Sequence, residues 1–176
     1  CLLIMNLNHY TLLANLFSYP DELFLYKIRQ VTTYLKDAYP TASESVELFY
    51  EGLPQNSIDS LQEIYTRSFD VQAVITLDIG YVLFGEDYKR SEILSNLNRE
   101  HKNANNDCGL ELADHLPNML RLLPKLKDNE LIQELVEDLL APAIEIMINE
   151  FSTDRRDKKN QLYKKHYKTL IDIPEN

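Results

Sequence analysis

Apolar residues recur at helical spacing along most of the chain. In "NHYTLLANLFSYP" the positions Tyr10, Leu13, Leu16 and Phe17 share one helix face, and Pro20 ends it. "DELFLYKIRQVTTYLKDAYP" repeats the pattern with Leu23 or Phe24, Ile28, Val31 and Leu35 before Pro40. "TASESVELFYEGLP" places Thr41 and Glu44 at the spacing of a capping box, and Gly52, Leu53 and Pro54 close the segment. "SIDSLQEIYTRSFD" carries Ile58, Leu61, Ile64, Tyr65 and Phe69 on one stripe.

The pattern blurs in "VQAVITLDIGYVLFG". Its Val, Ile and Thr content suits a strand, but no partner strand is in view, so a buried helix or an irregular link is expected. "DYKRSEILSNLNREHKNAN" is an amphipathic helix built on Ile93, Leu94 and Leu97, and residues 103–109 read as a polar loop. A helix is predicted from near Asp114 to about Leu123. "DNELIQELVEDLLAPAIEIMINEFS" is the longest periodic stretch. Pro142 inside it removes a backbone hydrogen bond, which predicts a kink or break there. "DRRDKKNQLYKKHYKTL" reads as a basic helix with Leu162, Tyr163, Tyr167 and Leu170 as its stripe. The fold class that follows is all-α: one helical-bundle-like domain over residues 1–176, of about eight or nine helices. No repeat and no Gly- or Ser-rich linker divides it.

Composition agrees. Only 4 glycines occur in 176 residues, whereas sheets and barrels spend glycine on turns and bulges. The net charge of -10 would repel nucleic-acid phosphates and anionic membrane surfaces, so a basic segment of another protein is the better-matched partner. The charge also serves solubility alone. Cys1 and Cys108 are the only cysteines and form no CxxC, which implies neither a zinc clip nor a disulfide framework and fits a reducing cytoplasm. "CLLIM" is too short for a membrane span.

Signatures of chemistry are few. The glycines at 52, 80, 85 and 109 match no phosphate-binding loop or nucleophile elbow, and His9, His101, His115 and His166 are scattered. "DRR" at 154–156 resembles half of a twin-arginine signal, but no apolar stretch follows it. The one dense cluster is "ELADHLP", residues 111–117. Asp114 is placed to cap the following helix through the Leu116 amide, and Pro117 falls in the first turn, where its missing N–H costs nothing. Glu111 and His115 are not explained by capping. As a catalytic set the cluster lacks a nucleophile, a metal and an oxyanion hole. As a recognition lip it offers acceptors beside Leu112 and Leu116.

Three stretches, in order, carry a family resemblance. "YTRSFD" (65–70) resembles a Y-x-x-x-F-D segment, "FGEDYKR" (84–90) an H/F-G-x-x-x-x-R segment, and "ELADHLP" followed by "NMLRLL" an E-L-P-D-H-L-P element leading into a Leu-rich helix. The opening "LLANLFSYP" is similar to the same family's first helix. The family is the NarJ-type (nitrate reductase delta subunit) chaperones, within the wider TorD/DmsD group of redox-enzyme maturation proteins. The resemblance spans residues 9 to about 145. Ala113 stands where the family has proline.

The resemblance implies an all-helical cytoplasmic chaperone that is not an enzyme and holds no cofactor of its own. It would bind the N-terminal peptide of a molybdenum-cofactor catalytic subunit, assist cofactor insertion and delay membrane attachment, without nucleic acid, without inserting in a membrane itself, and with a homodimer as one possible state. By motif match the peptide-binding positions would be Tyr65, Phe69, Asp70, Gly85, Arg90, Glu111, Asp114, His115, Leu116 and Pro117. Tyr65 and Phe69, one turn apart, either line a groove for a partner helix or simply pack in the core. Asp70, Glu111 and Asp114 would ring that groove with acceptors. Arg90 is expected to pair with one of these acids and tie two segments together, and His115 and Leu116 to face the peptide. The alternative readings are a non-catalytic helical scaffold or regulatory protein that binds a basic amphipathic peptide of another partner, and a hydrolase or nucleotide-binding enzyme using His115 and the acids.

Overall fold

The structure, a computed structural model, describes residues 7–71 and 73–153. All regular structure among these residues is helical. Helix α1 (Asn8–Ala14) runs into a 3-10 turn (Asn15–Phe17). It is followed by α2 (Phe24–Ala38), α3 (Pro40–Gly52), α4 (Ile58–Phe69), α5 (Ile79–Phe84) and α6 (Tyr88–Asn103). Then come α7 (Leu116–Leu122) with a 3-10 turn (Leu123–Lys125), α8 (Asn129–Glu134), a π-helical segment (Leu135–Leu140) and α9 (Ala141–Thr153). No strand occurs among the described residues; a single bridge pairs Asp78 with His115. The predicted basic helix at 154–170 lies outside the described residues.

The contacts divide into two compact units, and the division does not run along the chain. Among the described residues, one unit takes those up to Phe17 together with Leu77–Ala143; the other takes those from Ser18 to Thr76 and from Ile144 to Thr153. Each unit is therefore assembled from separated stretches, which is why no linker composition marks a boundary.

In the second unit the predicted stripe of α2 is buried as a set, Phe24, Ile28, Val31 and Leu35 all lying in the core. Against it packs α3, which buries Ala42, Val46 and Phe49. The capping box expected at Thr41 and Glu44 does not form: Pro40 begins the helix one residue earlier, and no side chain caps it. Proline pre-sets the helical φ and has no N–H to satisfy, so the chain starts there and Thr41 is already inside. Helix α4 does begin on a side-chain cap, Ser57 Oγ accepting from the Ser60 amide at 3.1 Å. Its buried face is Leu61, Ile64, Tyr65, Ser68 and Phe69.

In the first unit α1 packs on α7, and α5 on α6 and on the π segment. The ambiguous stretch 71–85 resolves into an irregular link followed by the short α5. Pro142 does not break the last helix. The run from Asn129 to Thr153 is continuous, and the disturbance appears just upstream, as the π turn at Leu135–Leu140. A proline cannot donate to the carbonyl four residues back and its ring presses on that carbonyl. A wider turn there removes the conflict without ending the helix.

Candidate functional site

The first unit brings "ELADHLP" onto the start of α5. The Ile79 amide donates to the Asp114 carbonyl and the Leu116 amide to the Leu77 carbonyl, both at 2.9 Å. This short antiparallel crossing joins residues that are far apart in sequence. It also decides what Asp114 caps. Helix α7 has His115 at its N-cap position with no side-chain cap bond, and the Leu116 amide is already used by Leu77. The expected cap on α7 is therefore absent. Instead Asp114 Oδ2 accepts from the Gly80 amide at 3.1 Å, in the first turn of α5. Asp78, at the N-cap position of α5, makes no side-chain cap bond, so Asp114 satisfies a free amide of a different helix.

Arg90 closes the site. Its Nε donates to Asp114 Oδ2 at 3.3 Å, a terminal nitrogen donates to Asp78 Oδ2 at 3.2 Å, and its guanidinium lies 5.2 Å from the centre of the Tyr81 ring. Arg90 thus ties two segments together through an acid of the motif, as the sequence leads one to expect. Asp78 Oδ1 meets His115 Nδ1 at 3.0 Å. Gly85 sets the geometry that allows this. Its φ of +59° ends α5 in a left-handed turn, and Asp87 then caps α6 through the Lys89 amide at 2.9 Å. The chain so reverses brings Arg90 back beside the start of α5.

Asp114 is fully buried, and its Oδ1 has no hydrogen-bond partner among the described residues. Burial, then the neighbouring Asp78 carboxylate, push its carboxyl above the usual range, against the pull of Arg90 and of the Gly80 amide. Because the folded value exceeds the unfolded one, this group favours the fold at low pH, and that contribution is lost as pH rises through the raised value. Asp114→Asn keeps an acceptor for Gly80 without the ionisation. The stability of wild type minus that of Asp114→Asn should therefore fall as pH rises above the ordinary aspartate value of about 3.9, read by urea denaturation at each pH. A difference that is flat or rises with pH would remove Asp114 as a strained acid.

A second polar network holds the loop that precedes the crossing. Asn106 Nδ2 donates to the Asn118 carbonyl at 3.1 Å and approaches His101 Nδ1 at 2.9 Å, while His101 Nε2 meets the Ala113 carbonyl at 2.9 Å. Asn118 Nδ2 donates to the carbonyls of Leu112 and Cys108 at 3.0 and 3.3 Å. His101, Asn106 and Asn118 are all buried. Burial first, and then Lys125, lower the pKa of His101, against the Ala113 hydrogen bond. The loop supported by these groups ends in an exposed tip. Leu110 is 104% exposed and Leu112 46% exposed, on either side of exposed Glu111.

The motif residues thus separate by role. Glu111 lies on the exposed tip. Asp114, Arg90 and His115 form the node around Asp78, with Gly85 shaping its approach. Leu116 and Pro117 are buried in the first turn of α7, so Leu116 does not face outward as expected, and the His115 ring is engaged with Asp78. Tyr65, Phe69 and Asp70 belong to the second unit. There Tyr65 packs edge-on between Tyr19 and Phe69, each 5.4 Å away, and Phe69 packs 6.0 Å from Phe151. Both are core residues of that unit, while Asp70 follows α4 and is exposed.

Several residues of the site carry no sequence signal. Asp78, His101, Asn106 and Asn118 sit in ordinary-looking positions. Gly80 carries a weak one, a glycine inside an apolar run, which marks close backbone approach. A Cβ there would lie 2.7 Å from Asp114 Oδ2. No group of three or more His, Cys, Asp or Glu residues able to hold a metal occurs among the described residues, and no described helix is long and apolar enough to cross a membrane. No protein-family model matches the chain, and no curated protein matches it.

Proposed function

We propose that this chain is a peptide-binding chaperone of the NarJ/TorD type, acting in the cytoplasm on the N-terminal peptide of a molybdenum-cofactor oxidoreductase subunit and performing no turnover of its own. The observation that carries the reading is the tip Leu110–Glu111–Leu112. Two leucines stand in solvent around a carboxylate, on a loop whose base is held by the buried side chains of Asn106 and Asn118. Solvated apolar side chains on a held loop are suited to cover the apolar face of an amphipathic peptide, and Glu111 to receive its basic residues. The lip so defined lies before the residues His115 and Leu116 that the motif alone suggests.

The test is a calorimetric titration with a synthetic peptide of about twenty residues from the N-terminus of such a subunit, long enough for a helix of several turns. Binding is expected with a negative heat-capacity change. Leu112→Glu should weaken it by at least about tenfold, the scale of one lost apolar anchor, while Leu48→Glu, at another exposed leucine, should leave it unaltered. Equal affinity for Leu112→Glu and wild type would overturn the lip. The second reading, a scaffold for a basic amphipathic peptide of another partner, shares the surface and differs in the peptide that binds.

A further inference from the structure

We propose that His101 is a proton switch beneath the 104–112 loop: placing a proton on its Nδ1 breaks the hydrogen-bond chain that holds the lip. The argument starts from Asn118. Its main-chain carbonyl can only accept, so the Asn106 atom 3.1 Å from it must be the amide nitrogen, a donor. The same nitrogen is 2.9 Å from His101 Nδ1, which must therefore accept. At the opposite side of the ring, Nε2 faces the Ala113 carbonyl at 2.9 Å and must donate. The ring is thereby held in its neutral form with the proton on Nε2. Both of its nitrogens are committed, and the residue is 3% exposed.

A proton taken from solvent onto Nδ1 would set one donor against another. Turning the Asn106 amide to offer its oxygen would restore the contact with the ring but give up the bond to Asn118. Either way the base of the lip changes its bonding. The surroundings do not welcome the charge. Lys125 follows α7, and Asp107 and Cys108 lie in the loop itself. On α6 the sequence neighbours are Glu100 and Lys102, and α5 brings Tyr81 with Asp78 at its start. Burial and Lys125 lower the proton affinity of the ring. A lowered folded value means that the held lip is favoured above the ordinary histidine value, about 6.5, and progressively lost as pH falls below it. That peptide affinity falls with it rests on the lip reading above; the release of the loop does not.

The test needs no peptide. The chain contains no tryptophan, so Leu110→Trp places a single reporter on the exposed tip. Fluorescence anisotropy of the full chain is followed from about pH 7.5 to about pH 5, the window in which histidine titrates. One step to lower anisotropy, centred below 6.5, is expected while far-ultraviolet circular dichroism holds. In the Leu110→Trp background His101→Gln should abolish the step, because Gln offers a donor to Ala113 but takes up no proton. His115 remains in both proteins, so the part that His101→Gln removes belongs to His101. Asn106→Asp serves if the glutamine variant does not fold. It gives up the bond to the Asn118 carbonyl at every pH and offers the ring an acceptor, so protonation no longer breaks the chain and the step should vanish or invert. A flat profile in Leu110→Trp alone, or a step unchanged in either variant, overturns the proposal. A switch found without peptide binding would leave this inference standing and sink only the chaperone reading.

Discussion

Gly80→Ala is expected to destabilise the protein by about 2 kcal/mol, although alanine is the better helix former by about 1 kcal/mol. The added methyl would sit 2.7 Å from Asp114 Oδ2 and 3.2 Å from Arg90 Cγ. Neither neighbour can withdraw cheaply, since Asp114 is fully buried and its carbonyl is bonded to the Ile79 amide. The carboxylate must retreat from the Gly80 amide and loosen its bond to Arg90. Asp114→Ala should cost more, about 3 kcal/mol, because it leaves Arg90 and the Gly80 amide short of a partner in a part-buried site. The informative measurement is the double mutant. Without the Asp114 carboxylate the alanine at 80 meets little, so Gly80→Ala should become neutral or stabilising. Urea denaturation of the four proteins gives an interaction energy of about 2 kcal/mol if the contact is as described. Strict additivity would show that the helix start does not depend on Asp114.

Asn118→Ala is the second large effect, at about 2 kcal/mol for two part-buried hydrogen bonds. One side-chain amide serves two carbonyls, those of Cys108 and Leu112. Its removal leaves each carbonyl with one backbone donor, Glu111 for Cys108 and His115 for Leu112, beneath a loop then held by Asn106 and His101 alone among the buried polar side chains. Each part-buried hydrogen bond lost costs about 0.5–1.5 kcal/mol. The expected signature has two parts: a lower denaturation midpoint, and faster amide exchange confined to residues 104–115 and the start of α7. Loss of midpoint with uniform exchange would mean that Asn118 supports α7 itself and not the lip.

The two variants also separate the motif's parts. Gly80→Ala disturbs the crossing at Asp78 and His115, whereas Asn118→Ala disturbs the loop before it. If the peptide-binding lip is Leu110–Leu112, the second should reduce affinity more than the first at matched stability.

What the sequence by itself determined is the helical architecture and its faces. Phe24, Ile28, Val31 and Leu35 are buried together because a period of three to four residues has one structural meaning over so long a stretch. Leu61, Ile64, Tyr65 and Phe69 repeat the lesson in α4. Pro117 sits in the first turn of α7, where a missing N–H is harmless. The resemblance also singled out Arg90, Asp114 and His115, which meet around one node.

Only the tertiary structure decided how they meet. The cap of Asp114 was legible as a cap but not as one for α5, because an N-terminal amide accepts any carboxylate that folding delivers, and delivery depends on a crossing 34 residues apart in sequence. Asp78 and Asn118 acquire their roles from partners at comparable or lesser separations that no periodicity encodes. The buried His101 falls on the same helical face as Leu97, so spacing alone leaves it an ordinary core position. Its chemistry comes from two carbonyls and an amide that orient around it. Local pattern determines which residues turn inward; the hydrogen-bond partner each polar group then finds is a property of segments brought together, and that is where this protein's candidate site lies.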